Sequence, residues 1–168
     1  DITGIESVLS KELDSASRSL IDNKLSLHLG KTETILFGTR QKVRNVSLSV
    51  RCNGEIIKQK KQVKYLGQIL DQSLTGEETV QDVVQKCNNR LRFLYRNKGG
   101  LNVKTKKLLC NALIQCHLDY TCSNWYVSLS KAHKEKLQIC QNKMVRFVLD
   151  LGPRAHIGSQ ELKRVNWL

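Results

Sequence analysis

The densest group of side chains with an obvious chemistry is a cluster of cations near the middle of the sequence. No acidic residue lies between residues 86 and 107. The cations there are Lys86, Arg90, Arg92, Arg96, Lys98, Lys104, Lys106 and Lys107. Arg92 and Arg96 are four residues apart, so they share a helix face, and Phe93 is the candidate exposed aromatic beside them. Such a row predicts binding of a phosphate backbone; the alternative is a solvated surface that only maintains solubility.

A second group of lysines leads into an apolar stretch that predicts a strand. The group consists of Lys58, Lys60, Lys61 and Lys64. Residues 62–71 follow the pattern of a short, largely buried strand, in which Gln62, Lys64 and Gln68 form a polar face. Gly67 lies inside this stretch, and a glycine within a strand predicts a bulge or a close approach of another group to the backbone.

Neither a metal site nor a complete active site is indicated by the remaining polar residues. Six cysteines are scattered through the sequence without a Cys-x-x-Cys pair. Cys110 and His117 share a helix face but would lie about 10 Å apart along it, too far for one tetrahedral ion. No paired aspartates, glycine-rich phosphate loop or Gly-x-Ser-x-Gly segment occurs. An acid–base pair drawn from the carboxylates Asp71, Glu77, Glu78 and Asp119 is left open.

Composition narrows the class of partner. The 168 residues carry 28 Lys and Arg against 15 Asp and Glu, a net charge of +13. This excess favours nucleic acid over an anionic membrane surface. Mean hydropathy is −0.37 and no apolar run approaches a membrane span, so no membrane partner is expected. We expect an intracellular protein with reduced cysteines, because the sequence shows no secretory signal pattern.

The spacing of apolar residues changes near residue 72 from a period of about two, typical of strands, to one of about 3.6, typical of helices, and this change divides the chain into two parts. Before it, the pattern predicts a helix over 1–22 with a Thr3–Glu6 capping box, strands over 25–29, 32–37, 48–51 and 55–57, a hairpin turn at Asn53-Gly54, and a polar loop over 39–45. After it, helices are predicted over 76–97, 103–116, 117–126 and 130–149, with a frayed one over 160–167. In the second of these, Leu108, Leu109, Ala112 and Leu113 are expected to face inward. The predicted class is α+β, with a strand-containing domain over 1–71 and an all-helical domain over 72–168.

Several segments in order resemble the reverse transcriptase of non-LTR (LINE, jockey-like) retrotransposons. Asn23-Lys24-Leu25-Ser26-Leu27, followed by Gly30-Lys31-Thr32-Glu33 and Ile35-Leu36-Phe37-Gly38, resembles the family pattern N-K-L-x-L-N-x-x-K-T-x-x-x-x-F. Tyr65-Leu66-Gly67-Gln68-Ile69-Leu70-Asp71 resembles its Y-L-G-x-x-L-D primer-grip hairpin. Leu91 to Arg96, His117 to Tyr120 with Trp125-Tyr126, Leu137-Gln138, Gln141 to Lys143 with Arg146, and Pro153-Arg154 resemble the thumb that follows.

The resemblance implies a role for each part. Residues 1–71 would be the C-terminal portion of a polymerase palm with antiparallel strands, and residues 72–168 a helical thumb. Lys31 falls on the lysine that assists phosphoryl transfer, and Tyr65, Leu66 and Gly67 fall on the primer grip. The partner would be an RNA/DNA template–primer duplex held by Lys64 and the cations of residues 86–107. The resemblance also suggests a nuclear location.

One departure from the family bears on activity. Its Tyr/Phe-Ala-Asp-Asp turn and an earlier aspartate, which hold the Mg²⁺ ions of the intact polymerase, would lie before Asp1. This chain alone is therefore expected to bind a duplex without polymerising DNA, with the N-terminal polymerase region as a further partner. Two alternatives remain: a stand-alone basic module that binds nucleic acid, and a non-functional remnant of a decayed element.

Overall fold

The computed structural model describes residues 2–120 and 122–167. It contains both helices and short strands, and in the described residues every strand precedes residue 72. The chain divides into two compact units, the first ending at Leu74 and the second beginning at Thr75.

In its described residues, the first unit contains two α-helices, a 3-10 turn and six short strands. In order these are α1 (Ile2–Asp22), a 3-10 turn (Leu29–Lys31), β1 (Glu33–Ile35), α2 (Arg40–Val43), β2 (Arg51–Cys52), β3 (Glu55–Ile56), β4 (Lys58–Lys60), β5 (Gln62–Tyr65) and β6 (Gln68–Asp71). β2 pairs with β3 and β5 with β6 in antiparallel fashion, whereas β1 pairs with β4 in parallel. The expectation of antiparallel strands is thus right for two pairs and wrong for the third.

Local turn chemistry explains where the strand predictions hold. Asn53 and Gly54 both have positive φ, at 50° and 83°, as a type I′ hairpin turn requires, so the predicted turn is confirmed. The predicted strand over 25–29 is wrong. The chain leaves α1 through a left-handed Lys24, the Leu25 amide donates back to the Leu20 carbonyl, and Leu29 begins the 3-10 turn. Residues 39–45, predicted to be a polar loop, contain α2 instead. Its residue Val43 is buried in this unit, which holds the short helix in place.

α1 ends at Asp22 as predicted, and the predicted first residue, Asp1, lies outside the described residues; the helix packs through its polar side. Glu6 Oε1, Ser10 Oγ and Asp14 Oδ1 accept hydrogen bonds from the backbone amides of residues 49, 51 and 53, at 2.6, 3.0 and 2.7 Å. The capping-box prediction is wrong, because α1 already includes Ile2 and Thr3, so Thr3 is not the N-cap residue. Of the apolar residues at helical spacing, Ile5 is 48% exposed and Val8 is 58% exposed, whereas Leu13 and Leu20 are half-buried.

In its described residues, the second unit contains helices joined by loops and no strand. Its elements are α3 (Glu77–Arg96), α4 (Val103–Cys110), a π-helical turn (Asn111–Gln115), α5 (Cys116–Asp119), α6 (Cys122–Trp125), α7 (Lys131–Val148) and α8 (Ser159–Arg164). Its core includes apolar side chains of α3 and α7 together with Ile114, Trp125 and Val165; those of the two helices are Val80, Val83, Cys87, Leu91, Leu94, Leu137, Cys140, Met144, Val145, Phe147 and Val148. α7 starts at a Ser130 cap, whose hydroxyl accepts a hydrogen bond from the His133 amide.

The inward face predicted for the second helix is right for Leu109 and Leu113, which pack against the core, and wrong for Leu108 and Ala112, which are exposed. Lys106, Cys110 and Ile114 are the buried residues of α4 and the π turn, while Leu108 is exposed. Two features of the structure explain the difference. Lys106 is buried through an ion pair that the sequence pattern does not reveal. The π turn also adds a residue to one helical turn, which changes the direction of the side chains that follow it.

Candidate nucleic-acid interface

In the first unit, the residues matched to the primer grip lie on a hairpin. Residues 62–71, predicted from periodicity to be one buried strand and from the resemblance to contain a hairpin, form β5 and β6 joined by Leu66-Gly67; the single-strand prediction is wrong and the hairpin is confirmed. Leu66 and Gly67 have φ of 45° and 81°, and this requirement for positive φ explains the glycine. Gln68, expected on a polar face, is buried opposite Tyr65. Leu66 lies at the tip and is 70% exposed.

A shallow groove beside this hairpin brings three of the predicted site residues together. Its volume is 440 Å³, and Lys31, Lys64 and Tyr65 all line it. Its other lining residues are Glu33, Ile35, Phe37, Val63 and Leu70. Glu33, the groove's acidic residue, forms an ion pair with Lys60 at 3.3 Å. The groove therefore presents two cations beside an apolar and aromatic surface, which suits a sugar–phosphate strand with a base at its end.

In the second unit, the predicted cations divide by exposure. Arg90, Arg92, Arg96, Lys98 and Lys104 are exposed, and Lys107 is half-buried. Lys86 is half-buried and its ammonium lies 2.6 Å from Asp82 on the same helix. Phe93 is exposed on α3 among these cations, as expected from the sequence. The exposed members can meet a polyanion directly, while Lys86 already has a carboxylate partner.

Lys106 does not belong to this exposed set. Its side chain is 5% exposed, and its ammonium lies 2.5 and 2.6 Å from the two carboxylate oxygens of Asp150. The ammonium also lies 5.9 Å from the centroid of the Phe147 ring. The ammonium lowers the pKa of the Asp150 carboxyl, chiefly through the hydrogen bond. Lys106 joins α4 to the end of α7 and is a structural residue, so its assignment to the binding surface is corrected.

A groove between α3 and α7 carries polar residues that the sequence analysis missed. Its volume is 490 Å³, and Arg92 and Lys136 supply its cations. The other lining residues are Gln81, Val84, Gln85, Asn88 and Asn89. Lys143 extends the basic surface of α7, with its ammonium 2.9 Å from Asn88 Oδ1. No carboxylate lines the groove. We name this surface the amide groove.

The amide groove has a sequence signal, although a weak one. Gln81, Gln85, Asn88 and Arg92 recur at spacings of four, three and four, so they fall on one face of α3. Lys136 and Lys143 come from α7 and can be placed there only once the helix pairing is known. Carboxamides donate and accept hydrogen bonds without adding negative charge, so such a surface suits sugar and phosphate oxygens as well as base edges.

The described residues contain no group of three or more His, Cys, Asp or Glu that could hold a metal ion. The six cysteines are free thiols. Cys87 and Cys140 are buried against each other, and the hydrogen bond from Cys87 lowers the pKa of Cys140 to about 7. The same contact and burial raise the pKa of Cys87, and burial raises the pKa of Cys110 to about 12. These thiols are core residues of the second unit.

Comparison with known proteins gives one distant similarity. Over 108 residues, 62% of this chain, the sequence is 26% identical to a Drosophila melanogaster protein described as "Probable RNA-directed DNA polymerase from transposon BS". The similarity extends over 12% of that protein's length, so the chain spans a small part of the relative it matches. No protein-family model matches the sequence. No solved structure matches it.

These findings support a relation to transposon reverse transcriptases. In the described part of the chain, no helix is long and apolar enough to cross a membrane.

Proposed function

We propose that this chain is the C-terminal palm and thumb portion of a non-LTR retrotransposon reverse transcriptase, and that it grips the template–primer duplex. One observation carries the binding proposal: the amide groove combines four carboxamide side chains with Arg92 and Lys136 and is lined by no carboxylate. The similarity to a transposon polymerase supplies the class of nucleic acid.

The two units would contribute differently. In the second unit, Arg92, Lys136 and the exposed cations Arg90, Arg96, Lys98 and Lys104 would neutralise successive phosphates. In the first unit, Lys64 and Tyr65 would hold the end of the primer strand at the tip of the hairpin. Lys31 lines the same groove and would assist phosphoryl transfer in an intact polymerase.

Metal chemistry is not assigned to the residues of this chain. Polymerases of this family use Mg²⁺ held by aspartates, and the described residues contain no group of three or more His, Cys, Asp or Glu that could hold a metal ion. The proposed activity of these residues is therefore binding and positioning of the duplex.

Salt dependence of binding tests the proposal. We expect affinity for a fluorescent RNA/DNA hybrid, measured by anisotropy, to fall steeply as salt rises. Replacing Arg92→Gln together with Lys136→Gln should lower the slope of log K against log salt by about 0.9 for each phosphate that the protein no longer neutralises.

A matched control removes the same charge elsewhere. Lys11→Gln with Lys163→Gln also removes two exposed cations, and its slope should stay near that of the unaltered protein. Equal slopes for the two double variants would contradict a role for the amide groove. Equal affinity for hybrid and for double-stranded DNA would instead favour the stand-alone basic module that binds any duplex.

A further inference from the structure

A second, smaller pocket in the helical unit lies outside the amide groove. Its volume is 160 Å³, below the roughly 300 Å³ at which drug-sized ligand sites begin. Its apolar part is lined by Leu118, Leu137 and Trp125, of which the last two are buried. The indole Nε1 of Trp125 donates to the Tyr120 carbonyl at 3.4 Å, which fixes the ring. A site of this size and shape suits one flat ring system.

Gln115 contributes an acceptor that has no donor among the described residues. Its Nε2 donates to Asp119 Oδ1 at 2.7 Å, and a carboxylate only accepts, so the orientation of the amide is fixed. Its Oε1 is buried and has no hydrogen-bond partner in the described part of the chain. Gln115 is also the last residue of the π turn, a distortion that occurs often at functional sites. A ligand with an N–H donor would satisfy this oxygen.

Other groups around the pocket point to a nucleotide. Lys134 holds its ammonium 4.9 Å from the centroid of the Tyr126 ring, and both residues line the pocket with Gln138 and Gln141. None of the lining residues is acidic. An apolar floor, an orphaned acceptor, two carboxamides and a cation match a base with an exocyclic amine and a phosphate beside it. An acidic peptide side chain could pair with Lys134, but its carboxylate only accepts hydrogen bonds and would leave Gln115 Oε1 without a donor.

We propose that this pocket binds one unpaired nucleobase of the bound nucleic acid, with the base amine donating to Gln115 Oε1. The proposal rests on the proposed binding of a duplex and adds a site to it. The ring of the base would lie among Trp125, Tyr126 and Leu137, and its phosphate would meet Lys134.

The test compares two hybrids of equal charge. One carries a single unpaired 2-aminopurine, which keeps an exocyclic amine, and the other carries an abasic nucleotide at the same position. We expect the first to bind about fivefold or more tightly, as a base held against aromatic side chains would. The fluorescence of 2-aminopurine should change on binding.

Gln115→Met removes the acceptor and preserves the length of the side chain. The ratio of the affinities for the 2-aminopurine hybrid and the abasic hybrid should therefore fall toward one, while affinity for the abasic hybrid stays constant. Tyr126→Leu is a second variant that should also lower the preference, and Gln160→Met, at an exposed position of α8, is the matched control that should keep it. Circular dichroism verifies that each variant is folded.

The outcomes separate the two proposals. Equal affinity of the unaltered protein for the two hybrids overturns the base pocket and leaves duplex binding intact. A preference that persists in both Gln115→Met and Tyr126→Leu also overturns it, because the base would then be held elsewhere. If neither hybrid binds, the proposed function fails and the base pocket fails with it.

Discussion

The ion pair between Lys106 and Asp150 makes a prediction at the scale of single residues. Lys106 is almost fully buried, whereas the Asp150 side chain is 56% exposed. Removing the charge of Asp150 leaves a buried ammonium without its carboxylate, whereas removing Lys106 leaves a carboxylate that water can solvate. We therefore expect Asp150→Asn to lower the urea midpoint at pH 7 more than Lys106→Met does. Asn tolerates the left-handed backbone at this position, where φ is 52°, so backbone strain does not confuse the comparison.

The same ion pair makes the stability of the folded protein depend on pH. Because the hydrogen bond from Lys106 lowers the pKa of Asp150 in the folded state, the pair contributes stability above the ordinary pKa of 3.8 and loses it as pH falls through the lower folded value. The stability of the unaltered protein and of Asp150→Asn should converge toward the acid end of that range. A constant difference between them in urea titrations from pH 7 down to about 2 would contradict this account.

The hairpin turn gives a second prediction at this scale. Leu66 has φ of 45°, which costs a leucine about 1 kcal/mol, and Asn is more tolerant of that region. Leu66→Asn should therefore raise the free energy of unfolding by about 1 kcal/mol, while Gly67→Ala should lower it by a similar amount. Thermal unfolding measures both changes.

A gain in stability with a loss of hybrid affinity in Leu66→Asn would mean that the strained, exposed leucine serves binding. Unchanged stability would mean that the turn is not strained. Gly67→Ala is the control for the sign of the backbone effect, since the same turn is altered without removing the exposed side chain.

Residue identity alone does not distinguish structural cations from exposed ones. Lys106 and Lys104 are equally basic and two residues apart, yet one is buried and the other is exposed. The distinction depends on Asp150, 44 positions later, whose carboxylate is brought to Lys106 only by the packing of α4 against α7. Arg92 was predicted correctly to be exposed because its neighbours on α3 carry a clear apolar stripe on the opposite face.

At the scale of elements, α1 shows how periodicity can predict a helix and still mislead about its buried face. Four residues of a helix rise about 6 Å, and two residues of a strand rise about 6.7 Å. Side chains at positions 6, 10 and 14 can therefore meet alternate amides of the segment 49–53, as they do. The helix supplies acceptors where another strand would otherwise supply carbonyls.

On α1, replacing polar residues should therefore cost more stability than replacing apolar residues, the reverse of the usual order. Ser10→Ala with Asp14→Ala removes two hydrogen bonds and should cost about 1–2 kcal/mol of stability, after allowing for the better helix propensity of Ala. Ile5→Ala with Val8→Ala is the matched control, and it should leave stability unchanged or slightly raised because both side chains are exposed. Urea unfolding gives the free energies, and hydrogen exchange at Arg51 and Asn53 should accelerate only in the first pair. A larger loss in the second pair would show that the apolar face is buried in solution.

Elements with local signals were predictable, and those decided by distant contacts were not. The Asn53-Gly54 turn and the helices α3 and α7 follow from residues within one turn or one helix. The segment over 25–29 alternates as a strand does, but in the described structure it pairs with no strand and instead leaves α1 through a left-handed turn. The π turn depends on contacts such as that of Trp167 Nε1 with Asn111 Oδ1 at 3.0 Å, which join residues 56 positions apart.

At the scale of the whole molecule, the two units differ in the size of their cores. The buried hydrophobic residues of the first unit are Val43, Leu48, Val50, Cys52 and Ile57. The second unit buries a larger, contiguous set that spans α3, α4, the π turn, α6 and α7. Burial of apolar surface is the main source of folding free energy, so the second unit is the more self-sufficient of the two.

We therefore expect residues 75–168 to fold alone and residues 1–74 to be only marginally stable alone. The chain cut to 75–168 should unfold cooperatively on heating and keep the part of the salt-dependent hybrid affinity that the amide groove supplies, because Arg92 and Lys136 both lie within it. Phe147→Ala in that shortened chain should cost about 3–5 kcal/mol, since Phe147 is fully buried in the core. Calorimetry measures the unfolding, and anisotropy with the same hybrid measures the binding.

A shortened chain that folds cooperatively and shows no affinity would place duplex binding on the first unit, at the groove lined by Lys31, Lys64 and Tyr65. A shortened chain that does not fold would mean that the larger core is insufficient without the first 74 residues.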